Sequence, residues 1–154
     1  MLPMAACSIF EDLEPPPLET AFRPLPPPPA PPIPQSLTPP TPEEARAETV
    51  AWLSAAGYRD FQVDALIEHA KTESGFRPCA AGAGDLRYLF QWGGTRLQRL
   101  HDFAHTSGCP QLHTQLAFAD KELRNETKFS CFWEATTERA AYAALRRGFG
   151  RGSC

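Results

Sequence analysis

Fourteen of the 17 prolines in this chain fall between Pro15 and Pro42, leaving only Pro3, Pro78 and Pro110 elsewhere. Proline fixes φ and lacks an N–H donor, so this stretch is barred from both helix and sheet. It reads as an extended, polyproline-type tether. Its 28 residues reach roughly 90 Å at about 3.1 Å per residue. Residues 1–42 are therefore expected to be a disordered tail and linker. Residues 43–154 are left as one folded domain of ordinary size.

Charge divides at the same boundary. The tail carries Glu11, Asp12, Glu14 and Glu19 against Arg23, and the remainder holds equal numbers of acids and bases. A neutral domain is unsuited to general nucleic-acid binding, which rests on neutralising phosphates. Arg146, Arg147 and Arg151 make the C-terminal turn basic. That suits the end of a helix dipole, and it equally suits contact with an acidic polymer.

Of five cysteines, Cys79, Cys109, Cys131 and Cys154 lie in the folded part. An even set in so small a domain predicts two disulfides and an oxidising compartment, periplasmic or extracellular. Cys7 follows Met4-Ala5-Ala6, small residues of the kind that precede the lipidated cysteine of bacterial lipoproteins. It is the candidate lipid anchor, with the proline segment as tether. The given chain shows no apolar h-region before it. A start site upstream of Met1 would supply one, and the in-frame genomic sequence tests this.

Helix signals divide the domain. Thr41-Pro42-Glu43-Glu44 combines an N-cap hydroxyl, a proline at the first position and first-turn carboxylates. That helix should run to about Ala56, where Gly57 stops it, with Ala47, Val50 and Leu53 inward. Asp60 is placed to cap a second helix over 61–73, whose stripe is Val63, Leu66, Ile67 and Ala70. Glycines and Pro78 make 77–94 a loop, with a short hairpin at Leu86–Gln91. Thr95 is placed to cap a third helix to about Thr106, with Leu97, Leu100 and Phe103 inward. A fourth spans 111–124, with Leu112, Leu116, Ala119 and Leu123 in register. A fifth spans 137–147 and ends at Gly148. The fold class is mainly α, and a monomer is expected. If consecutive helices reverse direction, Cys79 pairs with Cys131 and Cys109 with Cys154.

Two strings carry chemistry. Glu73-Ser74-Gly75-Phe76 places a carboxylate at a helix end, beside the buried stripe. Burial raises a carboxyl pKa and keeps it protonated, able to act as an acid. Across the glycine-rich loop stand Tyr88, Gln91, Trp92 and Arg96. A sugar site uses an aromatic face and an amide that both donates and accepts hydrogen bonds. Trp92 and Gln91 supply these, although a tryptophan here serves a core equally well. Arg96 serves substrate contact or anchors a helix start. His101, His105, Cys109 and His113 have metal-like spacing, but Gly108 and Pro110 break the helical register between them. No metal and no cofactor is therefore expected.

These strings resemble the lysozyme-like superfamily and, within it, the phage tail lysozyme family, a relative of lytic transglycosylases and goose-type lysozymes. The resemblance runs over about residues 61–150. It includes Gln91-Trp92-Gly93-Gly94-Thr95-Arg96 and the later Gln115-Leu116-Ala117-Phe118-Ala119-Asp120-Lys121-Glu122-Leu123. It implies a lysozyme-like helical domain acting on peptidoglycan glycan strands at the β-1,4 bond between N-acetylmuramic acid and N-acetylglucosamine, with Glu73 as general acid. Asp85 is the first candidate for a second carboxylate and Asp102 the next. A transglycosylase needs none, so hydrolysis and anhydro-product formation both stay open. Two residues depart from the pattern: His69 stands where Asn is frequent, and Tyr88 where glycine is usual. Tyr88 and the unassigned second acid favour the alternative, a non-catalytic peptidoglycan-binding module on the same fold. A small disulfide-bonded interaction protein also fits the size, but leaves the Gln91-Trp92 string unexplained.

Overall fold

A computed structural model describes residues 39–150 and Gly152. Cys7, Cys154, Arg151 and most of the proline segment lie outside the described residues. The domain is mainly helical, as expected: α1 (Pro42–Ala55), α2 (Asp60–Ser74), α3 (Gly94–Ala104), α4 (Leu112–Asn125), a 3-10 turn (Thr127–Phe129), α5 (Ser130–Glu134) and α6 (Glu138–Phe149). The 3-10 turn and α5 were not foreseen. They are short and carry no capping side chain, so they leave no start signal in the sequence.

Local chemistry sets the boundaries. Thr41 and Glu44 form a capping box on α1: the Thr41 hydroxyl accepts from the Glu44 N–H, and Glu44 accepts from the Thr41 N–H. The inward face of α1 is Ala45, Thr49 and Leu53, a run of fours, while Ala47 faces out. Helix α2 starts one residue earlier than expected. Arg59 is its N-cap, and the Gln62 side-chain carbonyl accepts from the Arg59 N–H. Asp60 lies in the first turn, where a carboxylate still favours the dipole. Gly75, at φ +59, closes α2 with an N–H bond to Lys71. Nor does Thr95 cap α3. Gly93 is the N-cap, and the Asp85 carboxylate accepts from the Gly94 N–H, so the cap comes from the preceding loop. Helix α6 passes through Gly148 rather than ending there. A Cβ on Gly148 would lie 2.4 Å from the Phe129 ring, so this glycine is a packing site and not a stop.

Helix α2 is central, with eight of its fifteen residues buried. Helices α1 and α6 pack along it, and α4 packs on α1 and α3. Trp92, Leu89, Leu66, Leu100, Leu116, Leu123, Phe129, Phe132 and Leu145 are fully buried between them. Leu100 points inward as predicted, but Phe103 is 36% exposed. The expected hairpin is reduced to two isolated antiparallel bridges, Ala81 with Arg87 and Arg87 with Trp92.

Both predicted cysteine pairings are corrected: Cys79 bonds Cys109, with Cα atoms 5.5 Å apart. Cys131 is itself disulfide-bonded. Pairing by consecutive helices that reverse direction also requires the loop before α3 to stay at one end of the domain. Instead the loop runs the length of α3. Its first residues stay beside the end of α3, where the Gln115 amide donates to both Pro78 and Pro110 carbonyls. Its last residues reach the start of α3, beside Glu122.

Candidate active site

Glu73 occupies the last turn of α2, one residue before the helix stops. Its side chain is 34% exposed, so the carboxyl is partly withdrawn from water and still accessible. That withdrawal raises its pKa above the usual carboxylate range, while the Arg146 guanidinium works the other way. One turn back, His69 is almost fully buried, and its Nδ1 stands 3.8 Å from Glu73 Oε1. Burial, with the charges of Arg96 and Arg146, lowers the His69 pKa to about 4. The imidazole is therefore neutral at pH 7. Helix α6 forms the neighbouring wall: the Tyr142 hydroxyl lies 3.3 Å from that of Thr72, and Phe149 stacks on His69 at 4.8 Å between centroids.

The other expected site residues turn away from this carboxylate. Trp92 is completely buried, edge-on to Phe90 and Phe118, with its Nε1–H donated to Glu122 at 2.9 Å. A ring with no exposed face offers no platform to a sugar, so its role is in the core. Arg96 makes a bidentate bond to Glu122, at 2.9 and 2.6 Å, and lies over the Phe149 ring. It is a helix anchor. Gln91 is buried and donates to the Tyr88 carbonyl at 2.9 Å, while its oxygen fills the space a side chain on Gly82 would need. Asp85 serves the start of α3.

Tyr88 has φ +73, in the left-handed region that favours glycine. The geometry accounts for the usual glycine at this position. The strain of a Tyr there is about 1–2 kcal/mol. It is offset by burial of the ring and by the hydroxyl, which donates to the Gly108 carbonyl and contacts His101 Nε2, both at 3.0 Å. Tyr88 thus latches the loop to the far end of α3, and burial raises its pKa.

Two buried polar groups on α4 organise the whole loop. Gln115 accepts from the Leu89 N–H and donates to Pro78 and Pro110. Glu122, seven residues on and so on the same face, holds Trp92, Arg96 and Arg99. The string around Gln91-Trp92 and the string of α4 are therefore two halves of one constellation. A family model described as phage tail lysozyme matches residues 44–151. The chain belongs to the phage tail lysozyme family. No curated protein and no solved structure gives a match.

Membership makes this a lysozyme-like domain of a kind that acts on peptidoglycan. For such a domain, the residues that sequence reasoning missed are Tyr142 and Phe149, whereas Arg146 was offered as a contact to an acidic polymer without being placed near Glu73. All three lie on the last helix, far from the motif strings, and the packing of α6 on α2 sets Tyr142 beside Thr72, Phe149 on His69 and the Arg146 charge within reach of Glu73. Two surface hollows, of about 600 and 340 Å³, lie along α3, the first by His101 and His105 and the second by Phe103 and Lys121. Glu73 lines neither. His101 is engaged by Tyr88, His113 by Glu48 at 2.6 Å, and Cys109 by its disulfide. Among the described residues no cluster of three or more His, Cys, Asp or Glu is placed to hold a metal ion. Nor is any described helix long and apolar enough to cross a membrane.

Proposed function

We propose that residues 43–154 form a glycosidase that cleaves the β-1,4 bond between N-acetylmuramic acid and N-acetylglucosamine in peptidoglycan, with Glu73 as general acid. One observation carries this reading. In a family of lysozymes, a carboxyl at the end of a buried helix is partly desolvated and reachable, and its pKa is raised. A group in that state carries a proton to a glycosidic oxygen. Tyr142 and Arg146, on the adjoining helix, are partly or fully exposed near it, so a glycan strand bound at Glu73 would meet them.

Asp85 accepts a backbone N–H at the start of α3, so the reading assigns it a capping role and leaves Glu73 as the one named catalytic group. That arrangement suits attack by the substrate's own 6-hydroxyl as well as by water. The disulfide Cys79–Cys109 supports work in an oxidising compartment, periplasmic or extracellular. In the same reading, residues 1–42 are the linker that holds the domain near the wall, with Cys7 as its anchor.

The experiment compares the wild type with Glu73→Gln on purified sacculi. The wild type should release muropeptides, whose mass distinguishes reducing from anhydro ends. Glu73→Gln should release none and still bind. Binding without release by either protein supports the non-catalytic module instead.

A further inference from the structure

Among the described residues, His69 has two buried ring nitrogens without a hydrogen-bond partner. Its imidazole lies against Phe90 and Phe149, near-parallel to both, with Tyr142 at its edge. A neutral imidazole carries one N–H and one lone pair. A buried N–H without an acceptor is rarer and costlier than an unused lone pair. Aromatic rings flank the imidazole, whereas Glu73 Oε1 stands 3.8 Å from Nδ1. That is less than about 1 Å beyond a hydrogen bond. A small rotation of the partly exposed Glu73 side chain closes the gap.

We propose that neutral His69 is a positioning residue for Glu73, carrying its proton on Nδ1 and aiming that N–H at Oε1, so that Oε2 is the oxygen that holds and delivers the acidic proton. This rests on the reading of Glu73 as general acid. In the step, the O–H bond at Oε2 breaks as its proton joins the glycosidic oxygen, and the bonding pair stays on the carboxylate. The carbon–oxygen bond of the glycoside breaks with its electrons going to the same glycosidic oxygen. Negative charge then spreads onto Oε1, where the Nδ1–H bond strengthens because its acceptor is now ionised. His69 neither gains nor loses a proton. The other charged or titratable groups facing the pair are Arg146 and Tyr142 from α6 and Arg96 from α3. The fixed donor at Oε1 is therefore the part of the environment that His69 alone controls.

The test uses the full chain and begins without activity. Nitrogen-15 NMR of the wild type should show His69 protonated at Nδ1 near neutral pH. Carbon-13 titration of the Glu73 carboxyl should then be compared in wild type, His69→Phe and His69→Asn. Loss of the donor in His69→Phe should move the Glu73 midpoint up by at least about half a pH unit. His69→Asn restores an N–H donor and should bring it back towards the wild-type value. A purely packing role would not move that midpoint or be rescued by Asn. In the muropeptide assay, the alkaline limb of the pH profile should move with the midpoint. A wild-type Nε2–H tautomer, or an unmoved midpoint in His69→Phe, overturns the proposal, and the tautomer alone decides if His69→Phe does not fold. Muropeptide release with an unmoved midpoint removes His69 and keeps the enzyme. The expected tautomer and midpoint in a chain that releases nothing keep the pair and remove the glycosidase.

Discussion

Replacing Glu122 by Gln tests whether the loop is held as described. Glu122 is 2% exposed and accepts four hydrogen bonds, from Trp92 Nε1, Arg96 Nε, Arg96 Nη2 and Arg99 Nη2. The partners are unequal. Arg99 is 51% exposed and has Glu126 as a second partner at 2.9 Å, so its share is at most about 1 kcal/mol. Arg96 is 16% exposed. Without the carboxylate it becomes a largely buried guanidinium with no counter-charge, and the new amide NH2 opposes either it or the Trp92 N–H. Breaking a buried pair from one side costs about 3–5 kcal/mol. In a domain of this size that lowers Tm by roughly 10–20 °C. Urea unfolding followed by tryptophan fluorescence gives the free energy directly. Arg99→Ala should cost less than about 1 kcal/mol. The double variant Glu122→Leu/Arg96→Met removes both charges together, and should be less destabilised than the sum of its singles by about 1–3 kcal/mol. A loss below about 1 kcal/mol for Glu122→Gln, or additivity in the double variant, refutes the reasoning.

Three further outcomes follow from other contacts. Removing the Cys79–Cys109 bond as a double Ala variant opens a loop with a sequence separation of 30 and should cost about 3–4 kcal/mol by chain entropy, read as the difference in urea midpoints. Tyr88→Phe should cost about 0.5–1.5 kcal/mol by losing the hydroxyl's bond to the Gly108 carbonyl, which water can replace. Tyr88→Gly should cost more despite relieving the positive φ, because the buried ring is lost, and calorimetry orders the two. Stability should also fall on acidification, because the His69 pKa is about 4 when folded and about 6.5 when unfolded. The unfolded chain takes the proton first, so this contribution is complete above pH 6.5, is lost between 6.5 and 4, and amounts to about 3 kcal/mol. Urea midpoints at pH 7 and pH 4.5 should differ less in His69→Phe than in the wild type.

The sequence carries the fold well where apolar spacing and caps agree. Thr41-Pro42-Glu43-Glu44 starts α1, Gly75 ends α2, and the stripe Val63, Leu66, Ile67, Ala70 is buried as spaced. It misleads where one letter serves two purposes. Gly148 reads as a stop because glycine usually ends helices, yet here the missing side chain admits Phe129. Asp85 reads as a candidate second carboxylate because its loop faces Glu73, and in the structure it accepts the Gly94 N–H at the start of α3. The disulfide pattern failed for a different reason. Helix order constrains which ends meet only if loops stay local, and the loop before α3 runs the full length of that helix.

The same ambiguity bears on what the motif strings mean. Gln115 and Glu122 are polar letters on an amphipathic helix; polarity alone would send them to solvent, although their spacing from Leu112, Leu116, Ala119 and Leu123 puts them on its inward face. Both are buried, at 0% and 2% exposure, because the loop they hold has backbone and indole N–H groups that need acceptors away from water. Trp92 and Arg96 pair with one of them, and the Gln91 side chain folds back onto the loop's own backbone. Most of the family signature in this chain is thus a description of how the loop is fastened to α4. Glu73 is the exception: its partners within reach are an unbonded imidazole and an arginine on another helix, and neither explains a carboxyl kept partly out of water. Substitutions in the Gln91-Trp92 and Gln115–Glu122 strings should therefore reduce the amount of folded protein, with activity per folded molecule little changed. Substitution of Glu73 should do the reverse.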